Sequence, residues 1–239
     1  MKSRKHHLCK IYFVFFIFNL FGAPVAKSFA EGFTIDGKIT ILDHSGKPKS
    51  DHSNVIVFLD EMQNAPPNAP ESHAVMTQAN KQFAPKFLPI VAGTTVDFPN
   101  EDTVFHNVFS LSKAQPFDLG IYPQKASKSL TFDQPGLVKV YCNIHPQMIG
   151  YVIVLANPYF TTTDADGHFK LSNVPVGPAK LRTWYYAAHN LPEKEIQVTE
   201  KGIADINLSI IESLNLNIQE EIISVKHPNK WGQDYQDKY

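Results

Sequence analysis

Short segments rich in β-branched and aromatic residues, broken by Gly, Pro and Asn, recur from Phe33 to Ile210, and no amphipathic helical stretch separates them. Such a pattern admits few architectures besides packed β-sheets. The strands it predicts are Phe33–Leu42, Val55–Leu59, Ala74–Gln78, Phe87–Val91, Thr95–Phe98, Asn107–Ser110, Ser129–Phe132, Leu137–Tyr141 and Tyr151–Leu155. After Ala156 come a tight hairpin within Thr161–Leu171, then Ala179–Tyr185, Glu195–Thr199 and Ala204–Ile210. Val55–Leu59 is apolar at every position, which predicts a short, fully buried strand. Gln63 to Pro70 reads as a linker or exposed loop, and 226–239, polar and without periodicity, as a flexible C-terminal tail. The fold class expected is all-β.

The first thirty residues stand apart. Lys2, Arg4, Lys5 and Lys10 precede an apolar run from Ile11 to Ala26, and Ser28-Phe29-Ala30 supplies small residues at a cleavage spacing. Residues 1–30 therefore read as a secretory signal peptide cut near Ala30, since the run is short for a bilayer span and contains Asn19, Gly22 and Pro24. No later segment is apolar enough to cross a membrane. The expected location is the periplasm, or another compartment reached by secretion. Without the five basic residues of this segment the chain keeps 17 basic and 23 acidic groups, a formal charge of −6. That balance excludes the basic stripe nucleic-acid binding requires. Nothing in the sequence fixes an oligomeric state.

Of two cysteines, Cys9 lies in the leader, so the exported chain retains Cys142 alone and can form no internal disulfide. A solitary thiol in an oxidising compartment is buried, vulnerable or ligated. Its neighbours favour ligation: Cys142, His145 and Met148 follow one another at C-x2-H-x2-M spacing, on a loop between two expected strands. His106 comes 36 residues before Cys142, at the start of another. Singly, each would be a buried thiol, a hydrogen-bonded histidine or core filler. Together, one thiolate, two imidazoles and a thioether form the donor set of a type 1 copper centre holding one ion. The histidines at 44, 52, 73, 168, 189 and 227 lie in turns or polar stretches and read as bystanders.

From about Ala74 to Leu155 the chain resembles a cupredoxin. Val75-Met76, Phe83-Ala84-Pro85 and Leu88–Val91, then Gly93, Val96, Phe98 and Asn100, follow that family's opening pattern, and the ligand loop has the short amicyanin-type spacing. The resemblance implies a Greek-key sandwich over 72–156 and His106, Cys142, His145 and Met148 as copper ligands. It also implies that the backbone N–H of Asn107 hydrogen-bonds the cysteine sulfur.

The flanking sequence resembles a carboxypeptidase regulatory-like β-sandwich. One half of its pattern is Gly37–Pro48 with the strand Val55–Leu59, and the other runs from Thr163-Asp164-Ala165-Asp166-Gly167-His168-Phe169 to Val174-Pro175-Val176-Gly177. The implied arrangement is a small discontinuous sandwich, 33–62 and 157–211, into which the 72–156 domain is inserted. Asp164–Gly167 lacks the later carboxylates of a calcium loop and is expected to form a hairpin turn. Trp184-Tyr185-Tyr186 reads as core packing.

Function follows from the donor set and the resemblance together. The expectation is a one-electron carrier that docks transiently on redox partners through apolar residues around His145, among them Phe105, Ile144, Pro146 and Ile149. The alternative is a copper delivery, storage or sensing module in which the flanking sandwich does the recognition. A multicopper or nitrite-reducing enzyme needs further histidine clusters, which the sequence lacks. The chain is therefore read as no enzyme.

Overall fold

The computed structural model describes residues 32–62, 70–188 and 190–213, and every regular element among them is a strand. The expected leader, the tail at 226–239, His189, His227 and nearly all of the Gln63–Pro70 stretch lie outside the described residues. Among those described, no helix is long and apolar enough to cross a membrane.

In chain order the strands are β1 (Phe33–Leu42), β2 (Ile56–Asp60), β3 (Ala74–Val75), β4 (Thr77–Ala79), β5 (Gln82–Ala84) and β6 (Phe87–Val91). Next come β7 (Thr94–Pro99), β8 (His106–Ser110), β9 (Phe117–Tyr122), β10 (Ser127–Phe132), β11 (Gly136–Tyr141) and β12 (Ile149–Leu155). The last are β13 (Phe160–Thr162), β14 (His168–Val174), β15 (Gly177–Trp184), β16 (Glu193–Val198) and β17 (Ile203–Ile211).

Strands β3 to β12 form three sheets, ordered β6-β12-β11-β8-β9, β10-β7-β3 and β4-β5. Two further sheets, β14-β1-β17 and β13-β2-β15-β16, take up the rest. Most neighbours are antiparallel, but β6–β12, β3–β7 and β1–β17 run parallel. Alternation explains the individual strands: along β7 and β11 buried and half-buried residues take turns, so one face of each meets a core.

Strands β2 and β12 bury both faces, and the period of two shows why. Val57 and Leu59 point into one core with Ile39, Leu171 and Leu181. Val152 and Val154 point into a second core with Phe98, Val108 and Phe132. The intervening residues, Ile56 and Phe58 on β2 and Ile153 and Leu155 on β12, meet with Trp184 in a third apolar layer. Trp184 and Tyr185 thus pack in cores, as expected.

Three features depart from expectation. Strands β5 and β9 were not among the expected strands; only Tyr122 of the six residues of β9 is buried, and Gly120 within it has φ of +68°, so the strand carries no buried period. The Asp164–Gly167 turn does form, closed by Gly167 N–H to the Asp164 carbonyl at 3.0 Å and Asp164 N–H to the His168 carbonyl at 3.1 Å. Its flanking strands do not make the expected hairpin: β13 joins β2 and β14 joins β1, so the turn carries the chain between sheets. Gly167 has φ of +86°, and a Cβ there would stand 2.0 Å from the Ile39 carbonyl oxygen. Lastly, His52 is no loose turn residue; it is buried and its Nδ1 accepts the Ile41 N–H at 3.0 Å.

Candidate metal centre

β11 ends at Tyr141 and β12 begins at Ile149, so Cys142 through Met148 form the connection between two paired strands. Two bonds shape this short loop. The Met148 N–H donates to the His145 carbonyl at 2.9 Å, and the Asn143 N–H donates to Asn107 Oδ1 at 3.2 Å. Asn107 is buried on β8, and its Nδ2 donates to Asp118 on β9 at 2.8 Å. The side chain of Asn107 therefore ties the loop to both β8 and β9.

His106 opens β8 and is wholly buried. Its Nδ1 lies 3.8 Å from Cys142 Sγ and 3.1 Å from His145 Nδ1, and the donor atoms of the three residues all fall within 4.8 Å of one another. Among the described residues this is the one group of three or more His, Cys, Asp or Glu side chains so arranged. Met148 is fully buried in the core that also holds Cys142, Met76 and Val140. His73 pairs with Asp97 at 2.9 Å, and His168 faces Asp164 at 3.7 Å.

The donor chemistry fits a single ion. Nitrogen and sulfur ligands about 2.0 and 2.3 Å from one first-row metal stand about 3.3–3.8 Å apart in tetrahedral or trigonal geometry. The 3.1 and 3.8 Å separations found lie close to that span. Soft thiolate and thioether donors together with imidazoles are the ligand types that suit copper.

The ring of His106 has a second partner absent from the sequence reading. Its Nε2 lies 2.7 Å from Asp102 Oδ2. Burial pushes the Asp102 carboxyl up, but hydrogen bonds from the Lys81 N–H, His106 and the Asn80 N–H outweigh it and hold the group below its ordinary value. At His145, desolvation followed by the fields of His106 and Lys81 lowers the imidazole, against an opposing pull from Asp102. Nearby, Tyr122 is buried, and its hydroxyl donates to the Phe98 carbonyl at 2.8 Å while accepting from Gln78 Nε2 at 2.6 Å. Burial raises the pKa of this phenol.

Apolar side chains reach solvent around the three ligand candidates. Phe105, beside His106, is 57% exposed; Ile144, beside His145, is 42%; and Ile121, across the β8–β9 ladder from Asn107, is 62%. Pro146 is exposed and Ile149 half-buried.

No family model matches the chain, and no curated protein does. Solved structures similar to part of it include a purple cupredoxin from Nitrosopumilus maritimus, 28% identical, covering 34% of this chain and 99% of that one with a TM-score of 0.32. A reduced Cu(I) form of an amicyanin variant is 23% identical, covering 41% and 98% with a TM-score of 0.34. A copper-containing nitrite reductase from Thermus scotoductus is 26% identical, covering 39% of this chain but 27% of that one, with a TM-score of 0.34.

Proposed function

We propose that the protein is a type 1 copper protein that carries single electrons between redox partners in the periplasm or another secreted compartment. The convergence of His106 Nδ1, Cys142 Sγ and His145 Nδ1 within 4.8 Å carries this reading. Met148 is the fourth donor that the resemblance assigns, and its complete burial in the same core as Cys142 supports it. Bound there, copper would supply exchange of one electron between its Cu(I) and Cu(II) states. The chain's own part is to hold the donors still. Cys142 follows directly on β11, His106 is braced at Nε2, and the loop is tied at both Asn143 and Met148. Asn107 would also present its backbone N–H to the cysteine sulfur. The half-exposed His145, with exposed Ile144 beside it in the loop and exposed Phe105 and Ile121 on the segments that carry His106 and face Asn107, suits the small, rapidly exchanging contacts of electron-transfer partners.

We read the strands as a cupredoxin domain over 72–156 inserted in a regulatory-like sandwich built from 33–62 and 157–211. Pairing supports this, because β1 and β2 find all their ladder partners among β13 to β17. That second group of strands has no place in a minimal carrier and favours, as a second reading, copper delivery, storage or sensing. The protein acts as a carrier and not as an enzyme on the ground that its sequence lacks a second histidine cluster.

The visible spectrum of the purified protein with Cu(II), beside Cys142→Ser, tests the proposal. An intense blue band in wild type alone, reversibly bleached by reduction, is expected. A colourless protein indifferent to Cys142 would overturn it, and fast copper transfer to an acceptor apoprotein would favour the second reading.

A further inference from the structure

Asp102 stands four residues before His106, and its carboxylate is held on several sides. Oδ2 takes the bond to His106 Nε2, whose ring is completely buried, while the Asp102 side chain stays 16% exposed. Oδ1 accepts the Asn80 N–H at 2.7 Å, and Oδ2 accepts the Lys81 N–H at 2.8 Å. Asn80 and Lys81 are the two residues linking β4 to β5, with φ of +54° and +53°, the left-handed pair that closes a two-residue hairpin. The Asp102 N–H donates to Asn100 Oδ1 at 3.0 Å. Asn100 is itself wholly buried, and its Nδ2 donates to the carbonyls of Val104 and Tyr122. The Glu101 N–H, donating to the Gln78 carbonyl at 2.9 Å, fastens the same loop to β4.

An ionised carboxylate only accepts hydrogen bonds, so the contact with Asp102 makes Nε2 the donor, and in the neutral ring, the form that ligates a metal, Nδ1 keeps a lone pair. That lone pair faces Cys142 and His145. In metalloproteins a carboxylate in this position fixes the tautomer, orients the ring and raises its basicity as a ligand. A carbonyl oxygen would set the tautomer equally well but would bring no net negative charge.

We propose that Asp102, seated on the β4–β5 turn, is a positioning residue for the metal centre. It presents His106 Nδ1 to the ion and favours the more highly charged Cu(II) over Cu(I). This rests on the reading of His106, Cys142 and His145 as copper ligands. Its added content is that the hairpin at Asn80-Lys81, which supplies no ligand, sets the affinity and potential of the site through one carboxylate.

Two measurements test it. In the metal-free wild-type protein, at a pH where NMR shows the His106 ring to be neutral, its single ring proton should be found on Nε2; a neutral ring protonated at Nδ1 overturns the proposal without need of any variant. In Asp102→Asn, Cu(II) affinity should fall by about 10- to 100-fold. Cu(I) affinity should fall less, so the midpoint potential rises by about 59 mV for each tenfold of the difference. An unchanged potential and affinity in a folded Asp102→Asn would sink this proposal alone. A wild-type protein that takes up no copper would sink both it and the copper reading.

Discussion

Replacing Trp184 probes the apolar layer shared by the two groups of strands. The side chain is 2% exposed, and its ring lies 5.6 Å from Phe87 in an edge contact and 5.7 Å from Tyr151. Ile56, Phe58, Ile153 and Leu155 complete its surroundings. Truncating a buried Trp to Ala costs about 3–5 kcal/mol through lost transfer energy and the cavity left behind. The two aromatic contacts account for about 1–3 kcal/mol of that. One term opposes the loss: the indole Nε1 is buried with no hydrogen-bond partner among the described residues. Such an orphaned donor costs about 1–3 kcal/mol in the wild type. The two substitutions therefore separate. Net of that relief a loss of about 2 kcal/mol remains, so Trp184→Ala should lower Tm by roughly 4–8 °C, at about 2–4 °C per kcal/mol for a chain of this size. Trp184→Phe keeps a ring in the layer and removes the orphaned N–H, so its stability should stay within about 1 kcal/mol of wild type or exceed it. Far-UV circular dichroism during thermal and urea unfolding measures both. A loss below about 1 kcal/mol in Trp184→Ala, or Trp184→Phe as damaging as Trp184→Ala, would refute the reasoning.

Gly167→Ala should cost about 2–5 kcal/mol. It combines the left-handed backbone penalty with a clash against the Ile39 carbonyl, and urea unfolding that shows under 1 kcal/mol would contradict this. Met148→Leu preserves volume and should cost less than about 1.5 kcal/mol, yet removing the thioether should raise the midpoint potential; a potential left unmoved would make Met148 core filler. Asp97 is held below its ordinary carboxyl value by the Ser129 hydroxyl and, against burial, by His73. A depressed folded pKa stabilises the protein at pH values above the ordinary value of 3.8 and ceases to do so as pH falls through the folded value. Asp97→Asn should thus melt below wild type at pH 6 and approach it near pH 2, and a gap independent of pH would refute the assignment.

What the sequence disclosed follows the range of the interactions involved. Cys142, His145 and Met148 are legible together because one loop carries all three, and local spacing is what a sequence records best. Val55–Leu59 betrayed its burial on both faces, but nothing in it told that the outer face would meet Ile153, Leu155 and Trp184. The role of Asp102 was hidden for the same reason. It depends on the N–H groups of Asn80 and Lys81 arriving from another strand pair, and Asn-Lys is a weaker turn signal than Asn-Gly. An acidic residue four positions before a candidate ligand was the available clue. Strand β9 escaped because half-exposure erases the alternation that identifies a strand. At Asp164–Gly167 the turn chemistry was plain, whereas the parting of β13 and β14 into different sheets is decided by their partners β2 and β1.

The order of strands along the chain has a kinetic side. β1 is made first among the described strands, but Lys38 must wait for His168, and Ile35 for Ile203, before either side of it is paired. The ligand-bearing strands β3 to β12 need no such delay, since all their ladder partners lie within one continuous stretch. Chains are synthesised from the N-terminus, and long-range pairing is slow. The nascent protein therefore carries an unpaired ten-residue strand, ready to stick to other chains, until β14 has emerged, and that strand is not paired on both sides until β17 follows. Its first strand is among the last to find a place.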